Sequence, residues 1–415
     1  MANYAKSLIS RLGAIGPALL LAAVIVGPGS IALSTIAGGT YGYTLLWVPV
    51  AATLFMITYT WMAARIGLVT GETFFGATRE KYGDTVAKVG GVFGFLTILA
   101  FQAGNNAGIG FASAALFGVG DPVMWAIVFT VLAAGFLWLP SLYDKIETLV
   151  RVVVGIMLVS FVATLLIIGV DFSSAARGLA PSFPDQGSVL LSLGLAATNF
   201  SIVAAVYQTN LMKENNWGPE KLADEGLDSI LGIAVLGLIV MTILLTSAAA
   251  IFGTDAQVFS AQGMAEQLRP FAGPAAFYLF TVGFFFASLS SLVVNALIGG
   301  ALLTDGFNKD SSMDSRPIKV TATAAMVIGT LVILLTQGAG SPTELLRAAQ
   351  ALAVVAFPLL GFLVLSIARD GSMMGEYTNP WYINILGGLG YLVIIGIIIN
   401  YLQTVLAEFG INLLG

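Results

Sequence analysis

The sequence predicts an all-α protein that crosses a membrane eleven times, on three observations. The 415 residues are 58% hydrophobic and 9% charged, with a mean hydropathy of +0.94, where soluble domains carry about 25% charged residues. Eleven apolar stretches approach the roughly 20 residues that a helix needs to span a bilayer. The basic residues then fall on one side. If the N-terminus is cytoplasmic and loops alternate, fourteen of the seventeen Lys and Arg lie inside, and Arg177, Arg269 and Arg347 lie outside. That is the positive-inside asymmetry, and adding or removing one span would destroy it.

The stretches are 14–37, 43–65, 89–117, 123–140, 149–170, 188–211, 228–252, 272–302, 320–336, 342–368 and 381–407; the fourth and ninth are the shortest. The first follows Lys6 and Arg11, as a signal peptide would, but it is longer than an h-region and more spans follow, so it is read as a retained helix. Residues 72–88 carry Glu72, Arg79, Glu80 and Lys81 and predict a short cytoplasmic surface helix; 171–187, with Pro181 and Pro184, predicts an irregular outer loop. Eleven spans place the C-terminus outside. The expectation is a single membrane domain over 1–415, in an inner or plasma membrane, with the lipid bilayer as partner and the chain monomeric.

Composition excludes several chemistries. No histidine and no cysteine is present, so two common transition-metal ligands and the commonest proton relay are missing. A net charge of −5 offers no basic patch for nucleic acid. No nucleophile–base pair or phosphate loop points to an enzyme, and no cofactor is expected.

The stretch that points to function is Gly27-Pro28-Gly29-Ser30, inside the first span. Broken backbone at that depth is tolerated where protein or a wet cavity satisfies the freed groups. Secondary transporters place such breaks at their binding sites; the alternative is a kink in a packed helix. Ten of the spans divide into two sets of five, and an odd number per set inverts the second relative to the first. The partner of span one is then span six, whose middle reads Thr198-Asn199-Phe200-Ser201. Those polar side chains either line an interior site or bond neighbouring helices.

Tyr41-Gly42-Tyr43-Thr44-Leu45-Leu46-Trp47 and Ala63-Ala64-Arg65-Ile66-Gly67-Leu68-Val69-Thr70-Gly71 resemble the second span of the NRAMP metal-transporter family. Met374-Gly375-Glu376-Tyr377-Thr378-Asn379-Pro380 resembles its turn before span eleven, and Gln350 with Pro358 its tenth span. The resemblance implies a leucine-transporter-like 5+5 inverted repeat plus one extra helix, with repeats at 12–170 and 188–368 and the eleventh helix at 381–408. It implies transport by alternating access.

The functional motifs depart from that pattern. The family's Asp-Pro-Gly-Asn is here Gly27-Pro28-Gly29-Ser30, and its Met-Pro-His aligns with Ser201-Ile202-Val203. Its Asp-x-x-Glu pair in span three aligns with Gln102 and Asn105, and a later histidine of span six with Gln208. Gln350 keeps the family's residue.

The expected substrate site is Gly27, Ser30, Thr198, Asn199, Ser201, Gln208 and Gln350, with Gln102 and Asn105 along the pathway or packed with each other or Asn106. No metal-ligand set is assigned. Such a neutral site argues against manganese or iron. A small polar or zwitterionic solute stands ahead of a hydrated magnesium-like ion, and a divalent-metal transporter or a non-transporting receptor of the same fold remains as an alternative. Magnesium keeps several waters, which the amides could hydrogen-bond, and a zwitterion would use the opposite dipoles of the two helix ends. Proton coupling is not expected, because the nearest ionisable groups are Asp144, Glu147 and Arg151 at the membrane edge. Sodium is open as a coupling ion.

Overall fold

The computed structural model describes residues 21, 25–254, 261–335 and 356–408, and among them there are helices and no strand. The helices are α1 (Pro28–Tyr41), α2 (Trp47–Thr70), α3 (Phe74–Tyr82), α4 (Asp84–Phe117) and α5 (Pro122–Leu137). Next come α6 (Leu142–Ile168), α7 (Phe172–Arg177), α8 (Gln186–Asn199), α9 (Ile202–Glu214) and α10 (Leu222–Ile251). Last are α11 (Ala261–Gly306), α12 (Arg316–Leu335), α13 (Ala356–Ala368), α14 (Gly371–Met374) and α15 (Trp381–Glu408).

Among the described residues, seven helical segments are long and apolar enough to cross a membrane, or eight if the pair Ala356–Ala368 and Gly371–Tyr377, bent by 57°, is one span. The expected eleven is not confirmed among the described residues. α5 has 16 residues, about 24 Å at 1.5 Å per residue, short of a hydrocarbon core about 30 Å thick. The apolar part of α15, Trp381–Gly396, is also short, and the spans expected at 14–37 and 342–368 lie partly outside the described residues.

Local chemistry explains several helix starts. Thr73 caps α3, its hydroxyl accepting from Gly76 N–H at 3.1 Å. Asp121 caps α5 in the same way, from Met124 N–H at 2.9 Å, with Pro122 in the first turn. Asp185 and Ser188 form a reciprocal capping box at α8; such caps satisfy the otherwise unpaired first N–H groups. The surface helix expected at 72–88 is α3, anchored by the fully buried Phe74 and Phe75. The outer loop at 171–187 is not wholly irregular: Asp171 accepts from Ser173 and Ser174 N–H and starts the one-and-a-half turns of α7.

Small residues let helices approach closely around span one. A Cβ on Gly38 would lie 2.3 Å from the Leu244 carbonyl of α10, and beside it Ser247 donates to the Thr35 carbonyl at 2.6 Å. On the other side, a Cβ on Gly108 of α4 would lie 2.2 Å from Pro28 Cγ. α4 therefore cradles the proline of the break. Gly108→Ala is expected to lower stability by about 2 kcal/mol, as overpacking of a filled interior does. A thermal unfolding midpoint equal to wild type would show that Pro28 yields freely.

Candidate transport site

The break in span one is real. Gly27 is extended (φ −111°, ψ −176°), and α1 starts at Pro28, which has no N–H to leave unpaired. Ser30 donates to the Ile25 carbonyl across the break. Gly29 and Ser30 occupy the first turn, where N–H groups lack intrahelical partners.

Span six is broken as well, without a proline. α8 ends at Asn199 and α9 begins at Ile202, with Phe200 (φ −110°, ψ 81°) and Ser201 (φ −89°, ψ 102°) between them. The Ser201 hydroxyl accepts from Ala204 N–H at 3.4 Å and caps α9. Phe200 packs against Tyr59 and Phe357, with ring centroids 5.0 and 4.9 Å apart.

The two breaks meet at a cavity of about 40 Å³ lined by Ile25, Gly27, Gly29, Ser30, Phe101, Asn105, Ala197, Thr198, Ser201 and Asn295. None of these carries a formal charge. At about 10–15 Å³ per water, the space suits a few waters or a small solute. Of the expected residues, Gly27, Ser30, Thr198, Ser201 and Asn105 come together here. Thr198 also donates to the Leu195 carbonyl at 3.1 Å.

The others go elsewhere. Asn199 is buried beside the break, its amide donating to the Leu195 carbonyl at 2.7 Å, with Oδ1 unpartnered. Gln102 donates to the Leu292 carbonyl at 2.9 Å and ties α4 to α11. Asn105 does likewise to Ser291 at 3.3 Å while still facing the cavity. Asn106 turns away from both, to Thr130 and Thr330 at 2.8 and 2.7 Å. Gln208 does not line the cavity; it donates to Glu225 of α10 at 3.1 Å. Gln350 lies outside the described residues.

Comparison with known proteins decides the family. The family model for natural resistance-associated macrophage protein-like sequences matches residues 18–404. The chain belongs to the NRAMP family. It is 29% identical over 400 residues to the divalent metal cation transporter MntH of Yersinia enterocolitica, covering 93% of this chain and 94% of that one. The MntH of Verminephrobacter eiseniae is 24% identical over 413 residues, covering 96% and 90%. Among solved structures, the Eremococcus coleocola manganese transporter with an aromatic bis-isothiourea compound superposes with a TM-score of 0.83 at 18% identity, covering 98% of this chain and 88% of that one. MhsT in complex with L-phenylalanine superposes at 0.62 and 16% identity, covering 94% and 98%. The fold is of the leucine-transporter type, and this NRAMP-family chain is an integral membrane transporter.

Against the NRAMP pattern, the missing acid at position 27 is matched by packing. A Cβ there would lie 2.7 Å from Ser291 Oγ, 3.2 Å from Ser291 Cβ and 3.5 Å from Asn105 Oδ1. The room for a side chain is taken by α11. Asn295, also on α11, is a cavity residue that the sequence reading passed over; its signal was the polar run Ser288, Ser290, Ser291 and Asn295 inside an apolar span.

Buried acids were passed over too. Glu225, Asp228 and Asp305 are buried at helix ends, where sequence alone reads them as loop charges. Glu225 Oε2 and Gln208 Oε1 have no partner. Glu225→Ala strands the Gln208 amide and is expected to cost about 2 kcal/mol. Glu225→Gln keeps an acceptor for the Gln208 amide in a side chain of the same shape, so it is expected to unfold no earlier than wild type. Equal midpoints for the two variants would remove the Gln208 bond from the account.

Proposed function

We propose that this NRAMP-family transporter carries a hard divalent cation with part of its water shell, magnesium-class rather than manganese- or iron-class. The observation that carries the reading is the neutral cavity at the two breaks. Its donors are hydroxyl, amide and backbone oxygens, with no carboxylate and no thioether. A dehydrated transition metal would lack both compensating charge and a soft ligand, while an ion that keeps several waters asks less of its site. The names of the MntH relatives support a cation.

A second reading is a small zwitterionic solute. It is favoured by the first-turn N–H groups at the starts of α1 and α9, which have no intrahelical partners, together with the carbonyls at the end of α8, since opposite dipole ends suit a carboxylate and an ammonium. The fold neighbour solved with L-phenylalanine supports it by analogy alone.

In either case transport proceeds by alternating access, with 12–170 and 188–368 as inverted repeats and spans one and six rocking against the rest. The asymmetry of the basic residues supports a cytoplasmic N-terminus and an outside C-terminus. The cavity residues Gly27, Ser30, Asn105, Thr198, Ser201 and Asn295 hold the cargo.

The test is thermal unfolding of the purified chain with magnesium, manganese, calcium, glycine and alanine, since a ligand that binds the native state raises its stability. Magnesium is expected to raise the midpoint more than manganese, and Asn105→Ala to remove the effect. A shift at lower concentrations of manganese than of magnesium would sink the cation reading as stated. A shift with the amino acids alone would establish the second.

A further inference from the structure

We infer that the chain binds an anionic phospholipid in a groove at the junction of α4, α11 and α12, away from the transport cavity. The groove has a volume of about 610 Å³, and its walls include Val92 of α4, Leu303 and Phe307 at the end of α11, and Val320 of α12. Phe307 and Val320 are 43% and 49% exposed, so the groove opens sideways, where acyl chains lie.

Its mouth is basic. Lys309 and Arg316 both line it, both are exposed, and neither makes an ion pair among the described residues. The local acids are engaged elsewhere: Asp314 pairs with Lys319 at 3.1 Å, and Asp310 accepts from Ser312 N–H at 3.0 Å. Lys309 also borders a polar pocket beside Asp305, so it stands on the wall between the two spaces. Arg316 and Pro317, the first two residues of α12, border the groove. The positive end of a 20-residue helix therefore faces the same mouth, where it favours a phosphate. The cavity residues offer no such charge.

An apolar trough of about 610 Å³ whose mouth carries two bases without ion pairs among the described residues and a helix start matches a phosphodiester headgroup with its acyl chains attached. Free phosphate would use the mouth and leave the trough bare. Basic pockets between membrane helices recognise acidic headgroups in this way. A lipid there would hold α11 against α12 at one end of the bundle.

The experiment is native mass spectrometry of the full chain released from micelles containing equal phosphatidylglycerol and phosphatidylcholine. Retention of phosphatidylglycerol is expected to exceed that of phosphatidylcholine, with about fivefold from each base, the equivalent of about 1 kcal/mol. The double variant Lys309→Gln/Arg316→Gln is expected to bring the two lipids to parity. Val320→Trp, which fills the trough and keeps both bases, is expected to displace phosphatidylglycerol as well. Equal retention by wild type, an undiminished preference in either variant, or displacement by millimolar inorganic phosphate would each overturn the inference. The replaced side chains are exposed, so the variants are expected to unfold at the wild-type temperature.

Discussion

Gly27→Asp is expected to lose about 3–5 kcal/mol of stability without gaining manganese binding. The substitution restores the acid of the family pattern, but the surroundings have closed around its absence. The new Cβ would stand 2.7 Å from Ser291 Oγ, and Asn105 Oδ1, another oxygen, is 3.5 Å away. No base lines the cavity, so the carboxylate would be buried without compensation, which costs about that amount. Gly27→Asp/Ser291→Ala removes the nearest oxygen and makes room. In that double variant manganese is expected to restore the midpoint, since a ligand at 100 times its Kd contributes about 2.7 kcal/mol. A single variant that melts with wild type in the absence of metal would mean that Ser291 does not define the site.

Asp305→Ala is expected to be the second large loss, about 3 kcal/mol. Its carboxylate accepts from the Thr73 hydroxyl at 2.6 Å, from Phe75 N–H at 3.1 Å and from the Asn210 amide at 3.4 Å. Asn210 in turn accepts from Phe74 N–H at 3.2 Å, and Arg79 donates to the carbonyls of Asp305 and Gly306, both at 3.0 Å. One carboxylate thus ties the surface helix α3, the second half of span six and the end of α11. Each buried donor left without its acceptor costs about 1–3 kcal/mol, and the losses are not additive. Asp305→Asn, which keeps one acceptor, is expected to lose less than half as much. The midpoint of thermal unfolding reads the difference, and proteolysis near residues 70–83 reports release of α3. If Asp305→Ala and Asp305→Asn melted together, the three bonds would not be the source.

Much of this architecture was legible because its causes are local. Gly27-Pro28-Gly29 states a break by itself, since glycine and proline cannot continue a helix there cheaply. Span six was legible only as a polar triplet; whether it opens depends on Phe200 finding Tyr59 and Phe357, which no local pattern reveals. Gln208 shows the limit of matching by position. It lies seven residues beyond Ser201, about 10 Å further along the helix at 1.5 Å per residue, where it meets Glu225 rather than the cavity. Asn295 was hidden because span eight reads first through Phe284, Phe285 and Phe286. Glu225 and Asp305 were hidden because an acid at a helix end has the same sequence signature whether it meets water or Gln208 and Thr73.

The break at Phe200 and Ser201 has a consequence for biogenesis. No residue there forbids helix, and Gln186–Glu214 is apolar enough to cross as one 29-residue span. The insertion machinery therefore meets an uninterrupted segment. The contacts that hold its interruption come from other spans: α2 and α13 bring Tyr59 and Phe357 to the Phe200 ring. A peptide of residues 186–214 in micelles should accordingly be continuous helix, and the kink should appear only in the assembled bundle. Span one carries its interruption in its own glycine and proline, whereas the break of span six is held by side chains of its neighbours.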